Sequence, residues 1–237
     1  MSVITMFRQA GCKGRYIAEN LAQALGYDFA DYATAERLLL QCGYNRTAEV
    51  YQSVPDFWGR FTRRGLERDE INSMLRSVTR AMAQHGNVVM LGRGCYAPLQ
   101  GMSDVLNVRL KAPYPLRVER VMEEQQMSRD EATAFIEEKD TLVADFARTS
   151  YGLSPDDLTL FDLVIDTGKV YPDAAVRFLV EAATALPGEG NEGPTAVALE
   201  VDPVMVEAVS DEFERLARLG APVPGRHDGV NRSAHPR

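Results

Sequence analysis

The sequence has few of the residues that build disulfide frameworks and metal sites. Only three cysteines occur, an odd number at unrelated spacings, so the chain predicts neither a disulfide framework nor a cysteine metal cluster. Histidine is as scarce, and two of the three histidines fall in the last eleven residues. A histidine-based metal centre is therefore disfavoured, and we expect no metal site built from protein side chains.

Long apolar runs and an excess of positive charge are missing too. No segment is long and apolar enough to span a bilayer, and the opening MSVITMFRQAG lacks the layout of a signal peptide. The formal net charge of -8 argues against a general nucleic-acid binder, although it is compatible with a local basic pocket. These absences favour a cytoplasmic protein that binds neither membranes nor nucleic acid.

What the chain does contain is an alternation of strand-like and helix-like segments. Buried strands are predicted at 2–7, 87–92, 105–110 and 162–167, with one more before Asp31. Between them, apolar residues recur at helical spacing, as in Ile17, Leu21 and Leu25, in Ile71, Leu75 and Val78, and in Val118, Val121 and Met122. The alternation predicts an α/β domain over residues 1–186, a parallel sheet covered by helices on both faces.

The composition changes after residue 186. Residues 187–194, PGEGNEGP, are rich in glycine, proline and acid, which predicts a linker. Residues 195–220 are expected to form one strand and one amphipathic helix. That piece is too small to hold a core of its own, so it should dock on the main domain or on a partner. The last stretch, 221–237, predicts a disordered tail.

The segment RQAGCKGRY connects the first predicted strand to the first predicted helix. Backbone N–H groups bind phosphate when they converge on one point, and Gly11 and Gly14 allow the chain to wrap that closely. The start of the following helix adds a partial positive charge. Arg8, Lys13 and Arg15 put three cations within eight residues. A phosphate-binding loop and an ordinary turn with exposed basic side chains both fit these residues.

The same segment does not match the Walker pattern G-x-x-x-x-G-K-[ST]. Gln9 stands in place of the first glycine, Arg15 in place of the lysine and Tyr16 in place of the hydroxyl residue. The pattern alone therefore leaves the choice between loop and turn open.

Four ordered stretches resemble the cytidylate kinase-like family, P-loop proteins related to nucleoside monophosphate kinases. The first is the opening stretch, which fits the family pattern at Arg8, Gln9, Gly11, Gly14, Arg15, Ile17, Ala18, Leu21, Ala22, Leu25, Gly26 and Asp31. The others are VVMLGRGCYAPL, VRLKAPYPLRVERVM and FARTSYGLSPDDLTLFDLVIDTGKV. Together they cover roughly residues 3–184, in the family's order.

This resemblance implies a P-loop NTPase-type three-layer fold with a helical lid. It also implies a kinase that uses ATP with Mg2+ to phosphorylate a nucleoside monophosphate, CMP or dCMP. An arginine in place of the Walker lysine is usual in the family, so Lys13 or Arg15 would contact the outer phosphates. The whole phosphate-binding loop would comprise Arg8, Gln9, Gly11, Cys12, Lys13, Gly14, Arg15 and Tyr16.

The acceptor is expected at the carboxyl ends of the strands, where open α/β sheets bind ligands. By the resemblance, Arg93 between Gly92 and Gly94 would grip the acceptor phosphate, a bidentate contact that suits a guanidinium. The alternative for Arg93 is a surface arginine in a turn. Asp31 either orders magnesium-bound water, contacts the acceptor nucleoside or caps the helix that starts at Ala33.

Residues 51–66, between the second strand and the next long helix, suit an acceptor-binding cap. They contain the only tryptophan, Trp58, beside Phe57, and the basic cluster Arg60, Arg63 and Arg64. The two aromatic side chains either stack on a base or pack in the interior, which is the more frequent use of such residues.

Two arginines lie three residues apart on one helix face, Arg117 and Arg120. The resemblance places Arg120 near the donor phosphates. Arg117 fits such a role and a solvated face equally well, with its charge balanced by Glu119, Glu123 and Glu124.

The next helix is predicted to begin at a capping box formed by Ser128 and Glu131. In nucleoside monophosphate kinases a basic lid closes over the phosphates and excludes water. By the resemblance, Arg148 is a lid arginine, and Lys139 takes a related place.

The loop departs from the family pattern at Phe7, Cys12 and Lys13, where Ser, Ser and Gly are usual. A thiol is a soft ligand and magnesium prefers oxygen, so the loop offers no clear protein ligand for the metal. The alternatives to a nucleotide kinase are a kinase of another small acceptor, a nucleotide-binding or regulatory module that has lost transfer, and a carrier for a partner-binding helix in 195–220. Homo-oligomers are compatible with each of these functions.

Overall fold

The computed structural model describes residues 2–41, 65–92, 94–186 and 193–220, without the side chains of 65–71. The amino-terminal half contains β1 (Val3–Arg8), α1 (Gly14–Leu25), β2 (Asp28–Asp31), α2 (Tyr32–Gln41), α3 (Gly65–His85) and β3 (Val88–Leu91). The rest contains β4 (Val105–Lys111), α4 (Tyr114–Gln125), α5 (Arg129–Tyr151), β5 (Leu163–Asp166), α6 (Pro172–Thr184) and α7 (Pro203–Arg218). Four of the predictions lie partly or wholly outside these ranges: Arg93, the cap at 51–66, most of the linker and the tail.

The strands form one parallel sheet in the order β2-β3-β1-β4-β5. β1 is central because its residues are apolar toward both layers, and Val3 pairs with Val88 on one side and Val105 on the other. All five predicted strands are confirmed, with Asp31 as the last residue of β2. The parallel register brings the carboxyl ends of β1, β3 and β4 to one edge, and the glycine loop leaves β1 at this edge.

Helices cover both faces of the sheet, as the alternating pattern predicted. On one face Ile4 packs with Leu21 of α1 and Leu179 of α6. On the other face Val88 packs with side chains of α3 and with Val209 of α7. The three-layer α/β fold is thereby confirmed. Within the described ranges, no helix is both long and apolar enough to cross a bilayer.

The segment that follows the predicted linker differs from its expected form. Residues 195–202 make no strand, because the N–H groups of Ala196 and Val197 donate to the carboxylate of Asp104, at 2.6 and 3.3 Å, and not to a sheet neighbour. The amphipathic helix does form as α7, with Asp202 as its N-cap. Its buried residue Phe213 belongs to the same core as Val88, so the segment docks on the main domain.

The capping box at the start of α5 is confirmed. The Ser128 N–H donates to Glu131 Oε2 at 2.8 Å, and the Glu131 N–H donates to Ser128 Oγ at 3.4 Å. The helix lies beside the glycine loop, and its surface carries both apolar and charged side chains. It is the element for which the sequence predicted a lid.

Candidate functional site

The loop between β1 and α1 has a backbone that only certain residues can adopt. Gly11 has φ 77° and Lys13 has φ 57°, both in the left-handed region. A Cβ on Gly11 would lie 2.7 Å from the Arg117 carbonyl oxygen, so the loop rests directly on α4 with no room for a side chain. The sequence singled out Gly11 for its freedom of conformation, and the structure adds this close approach.

The backbone N–H groups of residues 11–16 are the central feature of the site. Across the part of the chain that the structure describes, none of these six groups donates to an acceptor. The first amide to bond back is that of Ile17, to the Lys13 carbonyl at 3.1 Å. Unpaired N–H groups in a loop and in the first turn of a helix, together with the helix dipole, favour an anion at this place.

Two arginines of α4 donate hydrogen bonds to backbone carbonyls of the loop. Arg117 Nη1 donates to the Ala10 carbonyl at 3.2 Å, and Arg120 Nη1 donates to the Gly11 carbonyl at 3.3 Å. In a trans peptide the C=O and the following N–H point in opposite directions. Because the two carbonyls face α4, the N–H groups of Gly11 and Cys12 face away from it, toward the side where a phosphate would lie.

The structure gives Arg120 further contacts that the sequence did not indicate. Its guanidinium donates to Thr167 Oγ1 at 3.0 Å and to the Thr167 carbonyl at 2.8 Å. Thr167 directly follows β5, so Arg120 connects the glycine loop to the end of the last strand. Its observed contacts are with the protein backbone and Thr167, and they give it a part in shaping the loop.

The solvated face considered for Arg117 is wrong. Its side chain is buried, pairs with Asp140 of α5 at 2.6 Å and lies 5.3 Å from the ring centroid of Tyr114. Asp140 also accepts a hydrogen bond from the Ala10 N–H at 3.0 Å. Asp140 thus connects α5 to the glycine loop and to Arg117. Sequence reasoning did not select Asp140, since the only signal was its position beside Lys139.

Among the cations of the loop, Arg8 alone has no partner within the described residues. Its guanidinium makes no hydrogen bond or ion pair with any residue in the described ranges, and burial lowers its pKa, as does the nearby Arg15. The aliphatic part of Arg8 packs on Gly14, where a Cβ would overlap Arg8 Cδ. The charge of Asp31 acts in the opposite direction, but Asp31 makes no hydrogen bond or ion pair with Arg8. An anion that binds directly to Arg8 would therefore offset the cost of its desolvation.

The other two cations of the loop are already paired. Lys13 Nζ forms an ion pair with Glu124 of α4. Arg15 donates to Asp31 at 2.5 Å and to Glu19 at 2.8 Å, and its side chain is half exposed. Burial would lower the pKa of Arg15, but the hydrogen bonds to Asp31 and Glu19 outweigh it and raise this pKa.

Asp31 uses both of its carboxylate oxygens. Oδ1 accepts from the N–H groups of Ala33 and Thr34 at 2.9 and 3.1 Å, so the interpretation of Asp31 as a helix cap is confirmed. Oδ2 accepts from Arg15. Burial would raise the pKa of Asp31, but the hydrogen bonds from Arg15 and from the two N–H groups outweigh it and lower this pKa.

The residues of the loop do not fit direct coordination of Mg2+. Burial raises the pKa of the Cys12 thiol to about 11, which keeps it protonated. Tyr16, in the place of the Walker hydroxyl, donates to Asp173 of α6 at 2.6 Å. In the described ranges no group of three or more His, Cys, Asp and Glu could hold a metal ion. Magnesium would therefore be held by the nucleotide's phosphates.

On the acceptor side, Arg93, Trp58 and the arginines beside Trp58 lie outside the described residues. The structure describes Gly92 and Gly94, the neighbours of Arg93. A Cβ on Gly92 would meet nothing within 4 Å. Gly94 has φ 72°, and a Cβ there would lie 2.6 Å from a ring carbon of Tyr151. The segment therefore packs on the last turn of α5 after leaving β3.

The two cations assigned to the lid lie on the outer surface of α5. Arg148 is exposed and pairs with Asp145 at 2.9 Å. Lys139 Nζ lies 5.5 Å from the ring centroid of Phe135. Neither side chain has a contact with the described part of the glycine loop, so the lid role of both residues stays a prediction.

The chain is similar to several known proteins. The sequence profile of the cytidylate kinase-like family matches residues 3–169. A cytidylate kinase from Pyrobaculum neutrophilum is 31% identical over 181 residues, which cover 76% of this chain and 92% of that protein. A cytidylate kinase from Methanopyrus kandleri is 31% identical over 115 residues, which cover 45% of this chain and 60% of that protein.

A solved structure of an uncharacterised protein from Eubacterium ventriosum superposes with a TM-score of 0.60 at 17% identity, over 78% of this chain and 99% of that one. At this identity the likeness supports the α/β fold alone. Because the family's profile matches more than half of the residues, the chain belongs to the cytidylate kinase-like family.

Proposed function

We propose that the protein is a kinase that transfers the γ-phosphate of ATP to a nucleoside monophosphate, with CMP or dCMP as the expected acceptor. The observation that carries this proposal is the set of six N–H groups at residues 11–16, next to the guanidinium of Arg8. None of these groups has a partner in the part of the chain that the structure describes. Family membership supports a nucleotide kinase. The cytoplasmic location expected from the sequence is part of the same proposal.

Phosphoryl transfer needs two substrates in line and neutralised charge on the group that moves. In this proposal the N–H groups of residues 11–16 bind the outer phosphates of ATP, and Arg8 supplies a charge that is already desolvated. Lys13 exchanges Glu124 for phosphate oxygens, and Arg15 exchanges Glu19 while it keeps its bond to Asp31. That exchange is feasible because the side chains of Lys13 and Glu124 are each 34% exposed and that of Arg15 is 50% exposed.

The acceptor would bind at the carboxyl end of β3. Arg93 would contact its phosphate, with Gly92 leaving the space for it, and Asp31 lies on the same edge of the sheet. Closure of α5 would bring Arg148 toward the phosphates and exclude water. No described residue is tied to recognition of the base, so the choice of CMP rests on the family alone.

One observation favours the alternative of a nucleotide-binding module without transfer. No hydroxyl of the loop is available near the phosphates, because position 12 is a thiol and the Tyr16 hydroxyl is bonded to Asp173. Such a module would bind ATP through the same N–H groups and release no ADP.

The test is ADP release from the purified chain with ATP and Mg2+, in the presence of CMP, dCMP, UMP, AMP or GMP. The Arg8→Met variant removes the unpaired cation, and Arg218→Met on the exposed face of α7 is the matched control. Turnover that requires one acceptor, falls in Arg8→Met and persists in the control supports the kinase. ATP binding without ADP release for any acceptor supports the module. Absence of both ATP binding and ADP release contradicts the proposal.

A further inference from the structure

The most buried carboxylate of the described chain lies far from the glycine loop, on α7. The Glu212 side chain is 0% exposed and accepts hydrogen bonds from two arginines. Arg37 of α2 donates through Nε at 2.5 Å, and Arg215 of α7 donates through Nε at 2.7 Å and Nη2 at 2.8 Å. These bonds lower the pKa of Glu212 although burial acts in the opposite direction, the bond from Arg215 having the largest effect. α7 lies beyond residue 169, outside the part of the chain matched by the family profile.

A line of hydrogen bonds runs from Glu212 to the glycine loop. Arg37 Nη2 donates to Thr34 Oγ1 at 3.1 Å. The Thr34 N–H donates to Asp31 Oδ1 at 3.1 Å, with a longer contact of 3.4 Å from Oγ1. Asp31 Oδ2 then accepts from Arg15 at 2.5 Å. The line of hydrogen bonds therefore joins α7, the first turn of α2 and Arg15 in the first turn of α1.

The two arginines on Glu212 differ in one respect that matters. Within the described residues, Arg215 donates to Glu212 alone. The guanidinium of Arg37 donates to both Glu212 and Thr34. A guanidinium held at both ends fixes the position of Thr34 relative to α7, because its donors are in one rigid plane. Thr34 is itself buried, so the first turn of α2 has little freedom to shift once this bond forms.

We propose that Glu212 and Arg37 are positioning residues for the phosphate site. By fixing the first turn of α2 they hold Asp31 in place, and Asp31 in turn holds Arg15 beside the N–H groups of residues 11–16. Arg15 is thereby preorganised for phosphate, which lowers the ordering cost of binding. This inference rests on the proposed function for its ATP readout, and it gives the carboxyl-terminal helix a part in that function.

The experiment compares Arg37→Met with Arg215→Met in the full chain. Both substitutions remove one cation from the same buried carboxylate, but only Arg37→Met breaks the line to Asp31. We measure the dissociation constant of ATP by calorimetry, the unfolding free energy by denaturant titration, and hydrogen exchange of the Ala33 and Thr34 amides. Thr34→Val, which keeps the side-chain volume and the Glu212 ion pairs, is a second break in the line.

Arg37→Met and Thr34→Val should each raise the ATP dissociation constant about 3- to 10-fold and reduce exchange protection at Ala33 and Thr34. Arg215→Met should lose a similar amount of stability and keep the ATP dissociation constant within about 2-fold of wild type. With Asp31→Asn as background, Arg37→Met should have little further effect on ATP binding, because the line is already cut.

Equal effects of Arg37→Met and Arg215→Met on ATP binding, or additive effects of Arg37→Met and Asp31→Asn, would overturn the inference. If the wild-type chain binds no ATP, the proposed function fails by itself. The exchange rates at Ala33 and Thr34 then decide the positioning role: unchanged protection in Arg37→Met overturns it, and lost protection in that variant alone supports it.

Discussion

Three basic side chains surround the glycine loop, and their surroundings differ. Lys13 and Arg15 are each paired with carboxylates, while Arg8 has no partner in the described ranges. Charge-assisted hydrogen bonds contribute most where the charge is desolvated before the ligand arrives. Arg8 is therefore the cation for which phosphate binding removes an existing cost.

We expect Arg8→Met to weaken ATP binding about 10- to 100-fold, the effect of losing a hydrogen bond between charged groups. The unfolding free energy should stay within about 1 kcal/mol of wild type, because an unpaired buried cation stabilises little. Calorimetric titration and denaturant unfolding measure the two quantities. An unchanged ATP affinity would show that Arg8 does not face the nucleotide.

Gly11 is constrained by its dihedral angles and by its neighbour. Gly11→Ala places a methyl group 2.7 Å from the Arg117 carbonyl oxygen at φ 77°, whereas Gly101→Ala has nearly the same φ, 76°, and nothing within 4 Å. We expect Gly101→Ala to cost about 1–2 kcal/mol from the left-handed backbone alone. Gly11→Ala should cost about 2–5 kcal/mol, since overpacking is added, and it should abolish ATP binding. If thermal unfolding shows the same loss of stability for Gly11→Ala and Gly101→Ala, α4 moves away from the new methyl group without cost.

At the scale of secondary structure elements, the loop is held by α4 and α5 on one side and by α2 on the other. Arg117 and Arg120 donate to carbonyls of the loop, and Asp140 accepts from the Ala10 N–H. Asp31 fixes Arg15 at the helical end of the loop. α2 is fixed in turn by α7 through Glu212. The phosphate site therefore depends on elements far apart in the chain.

The contact between α2 and α7 predicts a pH dependence of stability. The pKa of Glu212 is lowered from its ordinary value of 4.5 in the folded chain. A lowered folded-state pKa gives stability that is present above pH 4.5 and is lost as the pH falls through the folded value.

Glu212→Gln should therefore be less stable than wild type by about 1–3 kcal/mol at pH 7, since both arginines are partly exposed and keep some solvation. The difference should shrink as the pH falls below 4.5. Denaturant unfolding from pH 7 to pH 3 measures it, with Glu214→Gln on the exposed side of α7 as the control. A difference that stays constant over this range would contradict the prediction.

At the scale of the whole molecule, the carboxyl-terminal segment is part of the main core. Met205, Val209 and Phe213 of α7 pack on the sheet face that α3 also covers, and Ala196 lies in the same cluster. A carrier function, in which 195–220 serves as a free partner-binding helix, would require this apolar face to leave the sheet.

A chain that ends at residue 192 should be less stable by about 4–8 kcal/mol, the cost of exposing several large apolar side chains and the sheet face beneath them. It should also bind a hydrophobic dye. A chain that ends at residue 220 keeps every described contact and is the control. Thermal unfolding compares the two, and equal midpoints would show that α7 is dispensable for the fold.

Local patterns in the sequence predicted the five strands of the sheet, the segment that forms the glycine loop and the family that the chain resembles. These features are local: periodicity records which side chains are buried, glycine marks a backbone with φ above zero, and Ser128 with Glu131 marks a helix start. Even the capping role of Asp31 was among its alternatives. The strand predicted in 195–202 failed because a distant carboxylate, Asp104, took its N–H groups.

The pairing of charges could be seen only in the folded chain. Arg117 with Asp140 and Arg37 with Glu212 are joined across 23 and 175 residues of sequence, and no local pattern contains both members. In the sequence Arg8, Lys13 and Arg15 are equivalent cations, whereas in the folded chain Arg8 has no partner among the described residues. Electrostatic interactions depend on distance and burial in space, and these are fixed only when the elements come together.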